Sequence, residues 1–143
     1  MRDSPPPSWY YRQSGVIPYR HGVDGPEVLL ITSRTRKRWI LPKGVVEPGL
    51  SAIASAANEA FEEAGVKGRV AEPSLGSFSY AKWDGDCTVE VFAMAVEEVL
   101  DDWPERAERT RRWMPLAEAA GLADDPEAGD LIRGLGKVLA GGA

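Results

Sequence analysis

Cysteine and histidine are almost absent from these 143 residues: Cys87 and His21 are the only ones. One cysteine cannot form an intrachain disulfide, so nothing asks for an oxidising compartment, and a zinc site built from Cys and His is excluded with it. Long apolar runs are also missing. No stretch reaches the roughly 18 residues of a membrane span, and Met1 to Ser8 (MRDSPPPS) holds no apolar core of signal-peptide length. Excess positive charge is lacking too, with 17 Lys and Arg against 22 Asp and Glu for a net charge of −5. A protein that coats nucleic acid or an anionic membrane by charge is excluded on that balance. These absences lead us to expect a cytoplasmic protein with no nucleic-acid polymer and no membrane among its partners.

What is present is ordinary for a globular chain: 43% hydrophobic and 27% charged residues, enough to build one core at this length. Residues 1–10 read as a flexible leader, because Pro5-Pro6-Pro7 resists both helix and ladder pairing; residues 11–143 read as a single domain. Ser14 to Tyr19 predicts a strand that Pro18 would place at an edge or bulge, and His21 to Pro26 is dense in turn residues. Glu27 to Ser33 (EVLLITS) predicts a strand buried on both faces. Trp39 to Pro42 is a short extended piece, and Lys43 to Gly49 reads as a loop.

Ser51 to Ala64 (SAIASAANEAFEEA) predicts the clearest helix, capped by Ser51 and closed by Gly65. Val66 to Ala81 predicts a strand interrupted near Pro73, and Cys87 to Leu100 a long strand. After a charged connection over 101–112, short helices are predicted at Pro115 to Gly121 and Asp130 to Leu139. Strands alternating with helices in this order suggest an α/β fold with a mixed sheet.

Glu59, Glu62 and Glu63 stand at i, i+3 and i+4, so a helix projects all three carboxylates within about 100° of arc. No Lys or Arg occurs from Gly44 to Val66, and the glutamates sit at the helix end where the macrodipole is already negative. Local stability does not explain this. A solvated acidic face is one reading; a hard divalent cation held by carboxylate oxygens is the other. Gly44, just ahead of the helix, allows close approach of backbone to an ion or phosphate.

Together these residues resemble the Nudix box, G-x5-E-x7-R-E-U-x-E-E-x-G-U, with U a bulky apolar residue. Gly44, Glu59, Glu62, Glu63, Gly65 and Val66 fall at its spacing, and small Ala60 stands at a U position. Arg38 to Gly49, Ala64 to Gly68, Val99 to Trp103 and Arg109 to Trp113 are further similar to the branch holding diphosphoinositol polyphosphate and diadenosine polyphosphate hydrolases. Two positions depart: Leu50 replaces the first box glutamate, and Asn58 replaces the arginine that in the family orients a catalytic glutamate through an ion pair.

The resemblance implies a Nudix-type α/β/α sandwich that cleaves a phosphoanhydride bond in a small polyphosphorylated substrate by metal-activated water attack. It implies Mg2+, or Mn2+ in its place, on Gly44, Glu59, Glu62 and Glu63, with Glu90 as a candidate ligand from outside the box and Asp84 and Asp86 as others. Glu59, Glu62 and Glu63 are the candidate catalytic residues, Glu63 the first choice as general base. Arg34 to Arg38 and Lys43 place five bases and no acids in ten residues, a soluble hairpin tip or a phosphate grip; the resemblance selects the grip. The candidate substrate-binding residues are Arg12, Ser33, Arg34, Arg38 and Lys43. Trp83 reads as a partly buried loop anchor. A monomer or a homodimer is expected, and the alternative function is a Nudix-fold module that binds a phosphorylated ligand with little catalysis.

Overall fold

The computed structural model describes residues 8–82 and 84–141. The readings made for residues 1–7 and for Trp83 lie outside the described residues. After a 3-10 turn at Ser8–Tyr11, the chain forms β1 (Arg12–Gly22), β2 (Gly25–Thr32), β3 (Trp39–Ile40), β4 (Lys43–Val45) and α1 (Ala52–Glu59). Helix α1 continues through a π-helical turn, Ala60–Ala64, into β5 (Val66–Val70), β6 (Gly76–Lys82), β7 (Gly85–Val99), β8 (Arg111–Pro115), α2 (Leu116–Leu122) and α3 (Pro126–Gly141).

The strand order is β3-β2-β1-β7-β5, with β4 also pairing β1, β6 pairing β7 and β8 pairing β2. Strands β1 and β7 run parallel and their neighbours antiparallel, the mixed sheet expected from the sequence. Both faces of this sheet are covered. In β2, Val28 and Leu30 join a core with Ile132 and Leu135 of α3, while Leu29 and Ile31 join a core with Ala56, Ala60 and Ala64 of the α1 segment. The period-two alternation of one strand thus feeds two cores, which is the α/β/α sandwich. Among the described residues no helix is long and apolar enough to cross a membrane.

Pro18 is a correction. It lies inside the sheet, in register with Met94 of β7, and not at an edge. Its missing N–H is tolerated because β1 changes partners there. Residues Gln13 to Gly15 pair β4, and the registered pairing with β2 begins only at Tyr19. The predicted loop at Lys43 to Gly49 is strand at its start, and β8 was not foreseen at all. The break near Pro73 and the long strand β7 are as expected.

The small residues of α1 set how closely it lies on the sheet. Ala56, Ala60 and Ala64, spaced four apart, have no exposed surface, and a leucine at Ala60 would overpack this contact at about 1–3 kcal/mol. Small size here brings the outer face of the helix, with its glutamates, close to β4.

Candidate functional site

Ser51 caps α1 by accepting the Ala54 N–H at 3.0 Å, and Gly65 closes it in the left-handed conformation at φ 66°. Between them the π turn respaces the glutamates; such one-turn bulges recur at functional sites. The end of this helix is buried under the 99–111 segment, and its carbonyls are accounted for one by one. Glu62 O accepts from Glu105 N at 3.0 Å, Glu63 O from the Trp103 indole at 3.1 Å, and Gly65 O from Leu100 N at 2.8 Å. Arg111 Nη1 donates to Ala64 O and Gly65 O, at 2.9 and 3.2 Å, with its guanidinium 3.9 Å from the centre of the Trp103 ring. The helix terminus that lacks bases in its own sequence receives Arg111 from β8.

Glu59, Glu62 and Glu63 line one cleft of about 540 Å³ together with Ser33, Arg34, Arg38, Lys43, Gly44, Glu105 and Arg109. Glu62 is exposed, Glu59 half-buried and Glu63 buried. Glu63 Oε1 accepts the backbone N–H of Lys43 at 3.1 Å, and Oε2 accepts from Arg109 Nη2 at 3.2 Å. Burial nonetheless pushes Glu63 up to about 7, against the pull of Arg109 and the Lys43 N–H. Glu59 is raised further, to about 8, by burial first and then by the charges of Glu63 and Glu62. The two carboxyls lie close enough that each disfavours ionisation of the other. Burial also lowers the Lys43 ammonium.

Gly44 lies against this pair. A Cβ built on it would stand 2.3 Å from the Glu59 carboxylate oxygen, so only glycine lets that carboxylate rest on the β4 backbone. The donor set of the cleft fits a hard divalent cation. Its ligating groups are carboxylate oxygens and backbone, without thiol or imidazole, and buried carboxyls that resist ionising together are relieved by a cation. Among the described residues no three His, Cys, Asp or Glu side chains already converge as a cage. Glu62, exposed at the cleft, would have to turn inward to join the others.

The substrate-binding candidates divide. Arg34 pairs Glu108 at 3.0 Å and Glu105 at 3.4 Å; Arg38 pairs Asp124 at 3.1 Å. Ser33 Oγ lies 3.2 Å from the Thr35 hydroxyl and accepts the Arg38 backbone N–H at 3.3 Å. Exposed pairs of this kind are worth at most about 1 kcal/mol, so a phosphate can displace them. Arg12 and Glu90 lie elsewhere. They line a neighbouring cleft with Ser74, Ser77 and Asp86 that shares Gln13 with the first. Asp84 lines a further shallow cleft with Asp86 and Lys82. Leu50 is 40% exposed and outside the glutamate cleft.

The carboxylate that joins the box glutamates from outside is Glu105, which the sequence reading passed over. It is held by Arg109 Nε at 2.9 Å, and its only sequence signal is its place four residues before an arginine that aligns with the family's late basic run.

The NUDIX domain family matches residues 12–135. The chain is 38% identical over 130 residues to Nudix hydrolase 12, mitochondrial, of Arabidopsis thaliana, covering 76% of this chain and 64% of that protein. It thus spans slightly less than two thirds of that relative's length. It is 31% identical over 115 residues to diphosphoinositol polyphosphate phosphohydrolase 3-beta of Bos taurus, covering 79% of this chain and 69% of that protein. Among solved structures, the C. elegans Ap4A hydrolase binary complex superposes with a TM-score of 0.79 at 27% identity, over 91% of this chain and 98% of that one. Nudix hydrolases as a group use divalent metal ions. With the box residues gathered in one cleft and a family match that spans nearly the whole sheet, this chain belongs to the Nudix family.

Proposed function

We propose that this chain hydrolyses a phosphoanhydride bond in a small polyphosphorylated molecule, a dinucleoside polyphosphate or a diphosphoinositol polyphosphate, with Mg2+ as its metal ion and Mn2+ able to replace it. One observation carries the reading: a single cleft gathers the carboxylates of Glu59, Glu62, Glu63 and Glu105 together with the cations of Arg34, Arg38, Lys43, Lys82 and Arg109. A chain of phosphates accompanied by a cation matches both kinds of group. The names of the relatives, which include Ap4A hydrolase and diphosphoinositol polyphosphate phosphohydrolase, support the same substrate class.

Glu59, Glu62, Glu63 and the Gly44 carbonyl would hold the metal, which when bound supplies Lewis-acid polarisation of phosphate oxygens and a more acidic water. The chain's own residues do the rest. Glu63, raised toward neutrality by burial, accepts the proton of the attacking water. Arg34 and Arg38 leave their exposed carboxylate partners for phosphate oxygens, which guanidinium planes fit in pairs. Lys43, half-buried in the wall of the cleft, adds positive charge beside the phosphates. Positioning and electrostatics suffice for this chemistry, and no covalent nucleophile is required. We place the protein in the cytoplasm, as a monomer or homodimer; the single buried Cys87 supports a reducing compartment.

The test is incubation with a panel of dinucleoside polyphosphates, diphosphoinositol polyphosphates, nucleotide sugars and nucleoside triphosphates, with Mg2+ or with chelator, in 18O-water. Label appearing in a released phosphate product only with metal is the expected result. Tight binding of one compound with no release from any supports instead the binding module that Asn58 and Leu50 suggest.

A further inference from the structure

The family's arginine is missing at position 58, yet Glu63 does not lack a cation. Asn58 is exposed on α1 and its side chain makes no hydrogen bond among the described residues. Arg109, 46 residues beyond Glu63, is 7% exposed and commits each of its three guanidinium nitrogens to a fixed partner. Nη2 donates to Glu63 Oε2 at 3.2 Å, Nε to Glu105 Oε1 at 2.9 Å, and Nη1 to the Thr32 carbonyl at 3.1 Å. Three segments therefore hold one planar group: the end of β2, the 101–110 connection and the π turn.

The other Glu63 oxygen is equally committed, to the Lys43 N–H at 3.1 Å. With one donor on each oxygen, the carboxylate plane is fixed from two sides. One N–H on each nitrogen is taken in this way, so the guanidinium cannot leave for a phosphate without abandoning Glu63, Glu105 and Thr32. This separates it from Arg34 and Arg38, whose side chains are 65% and 57% exposed.

We infer that Arg109 is the positioning residue for Glu63, supplying from 46 residues further along the chain the charge that Asn58 does not carry. The degenerate box is then degenerate in sequence only. The guanidinium that meets Glu63 comes from the connection before β8, with Glu105 and Thr32 as its anchors. The inference rests on Glu63 acting as general base in the proposed hydrolysis.

The test compares wild type, Arg109→Gln, Asn58→Arg and the double variant in the full chain. Two quantities are read: kcat and KM on the panel compound turned over fastest, and the fold-change that Glu63→Gln makes in the unfolding equilibrium constant of each background. Arg109→Gln is expected to lower kcat by roughly ten- to a hundredfold with KM within about threefold, and Asn58→Arg added to it to regain about tenfold. The Glu63→Gln effect on unfolding should differ by about fivefold or more between wild type and Arg109→Gln, and return in the double variant. If Arg109→Gln does not fold, Arg109→Lys replaces it, with the same pattern and a smaller loss. A rise in KM at unchanged kcat, marking a substrate contact, overturns the inference. So does a folded double variant no faster than Arg109→Gln, which marks a structural role alone. Should wild type hydrolyse nothing, the functional reading fails, and the unfolding couplings still decide whether positions 58 and 109 serve Glu63 interchangeably.

Discussion

The Glu59 carboxylate lies in the space that a side chain on Gly44 would need, 2.3 Å from the position of the missing Cβ. Strand β4 and helix α1 meet at this point, and the box glycine and the first core glutamate are one structural unit. The atom that would clash is the far end of a flexible side chain, so the clash is cheap to relieve and its relief moves the carboxylate.

Gly44→Ala is therefore expected to leave the fold nearly intact, with Tm within about 3 °C of wild type, while kcat/KM falls by roughly tenfold or more and Mn2+ binding followed by electron paramagnetic resonance weakens. Unchanged metal affinity in the alanine variant would separate Gly44 from the cation site.

The raised carboxyls make a pH prediction for metal-free protein. Glu59 and Glu63 stand near 8 and 7, against an ordinary value of 4.5. The folded state holds these protons more tightly than the unfolded chain, so the pair's contribution to stability is complete below about pH 4.5 and is lost as pH rises through 7 to 8. In chelator, wild type should lose Tm between pH 6 and pH 8.5 relative to Glu59→Gln. Mg2+, which binds the ionised form, should raise Tm more at pH 8.5 than at pH 6. Parallel pH profiles for wild type and Glu59→Gln would contradict this.

The capped end of α1 predicts a purely structural effect. Arg111 donates to the carbonyls of Ala64, Gly65 and Leu100, and Arg111→Ala leaves these acceptors under the 99–111 segment without it. A loss of about 2–3 kcal/mol in urea denaturation is expected, with activity per folded molecule falling less than in any glutamate variant. A loss below about 0.5 kcal/mol would show that water replaces the guanidinium.

Much of this was legible in the residues. Ser51, the alanine spacing and Gly65 marked α1 at both ends, and the Val28–Ile31 run marked a strand buried on two faces. The three glutamates announced a charge problem that the helix could not solve by itself. What solves it was not legible. Arg109, Arg111 and Glu105 reach the helix end from a segment whose own sequence is a charged connection, and only the pairing of β8 with β2 brings them there. Pro18 misled for a related reason. A proline inside a sheet is forbidden by its missing N–H unless the strand changes partners there, and partner exchange leaves no local signal. Arg12 and Glu90 were candidates by resemblance, and the parallel register of β1 with β7, which no local pattern announces, places them on the second cleft.

The most direct measurement is the rate of phosphoanhydride hydrolysis across the polyphosphate panel in Mg2+, for wild type and Glu63→Gln side by side. The account predicts turnover of at least one compound by wild type, abolished by chelator, and a kcat lower by roughly a hundredfold or more in Glu63→Gln at similar fold stability. Turnover that is equal in the two proteins, or absent for every compound in both, would contradict it.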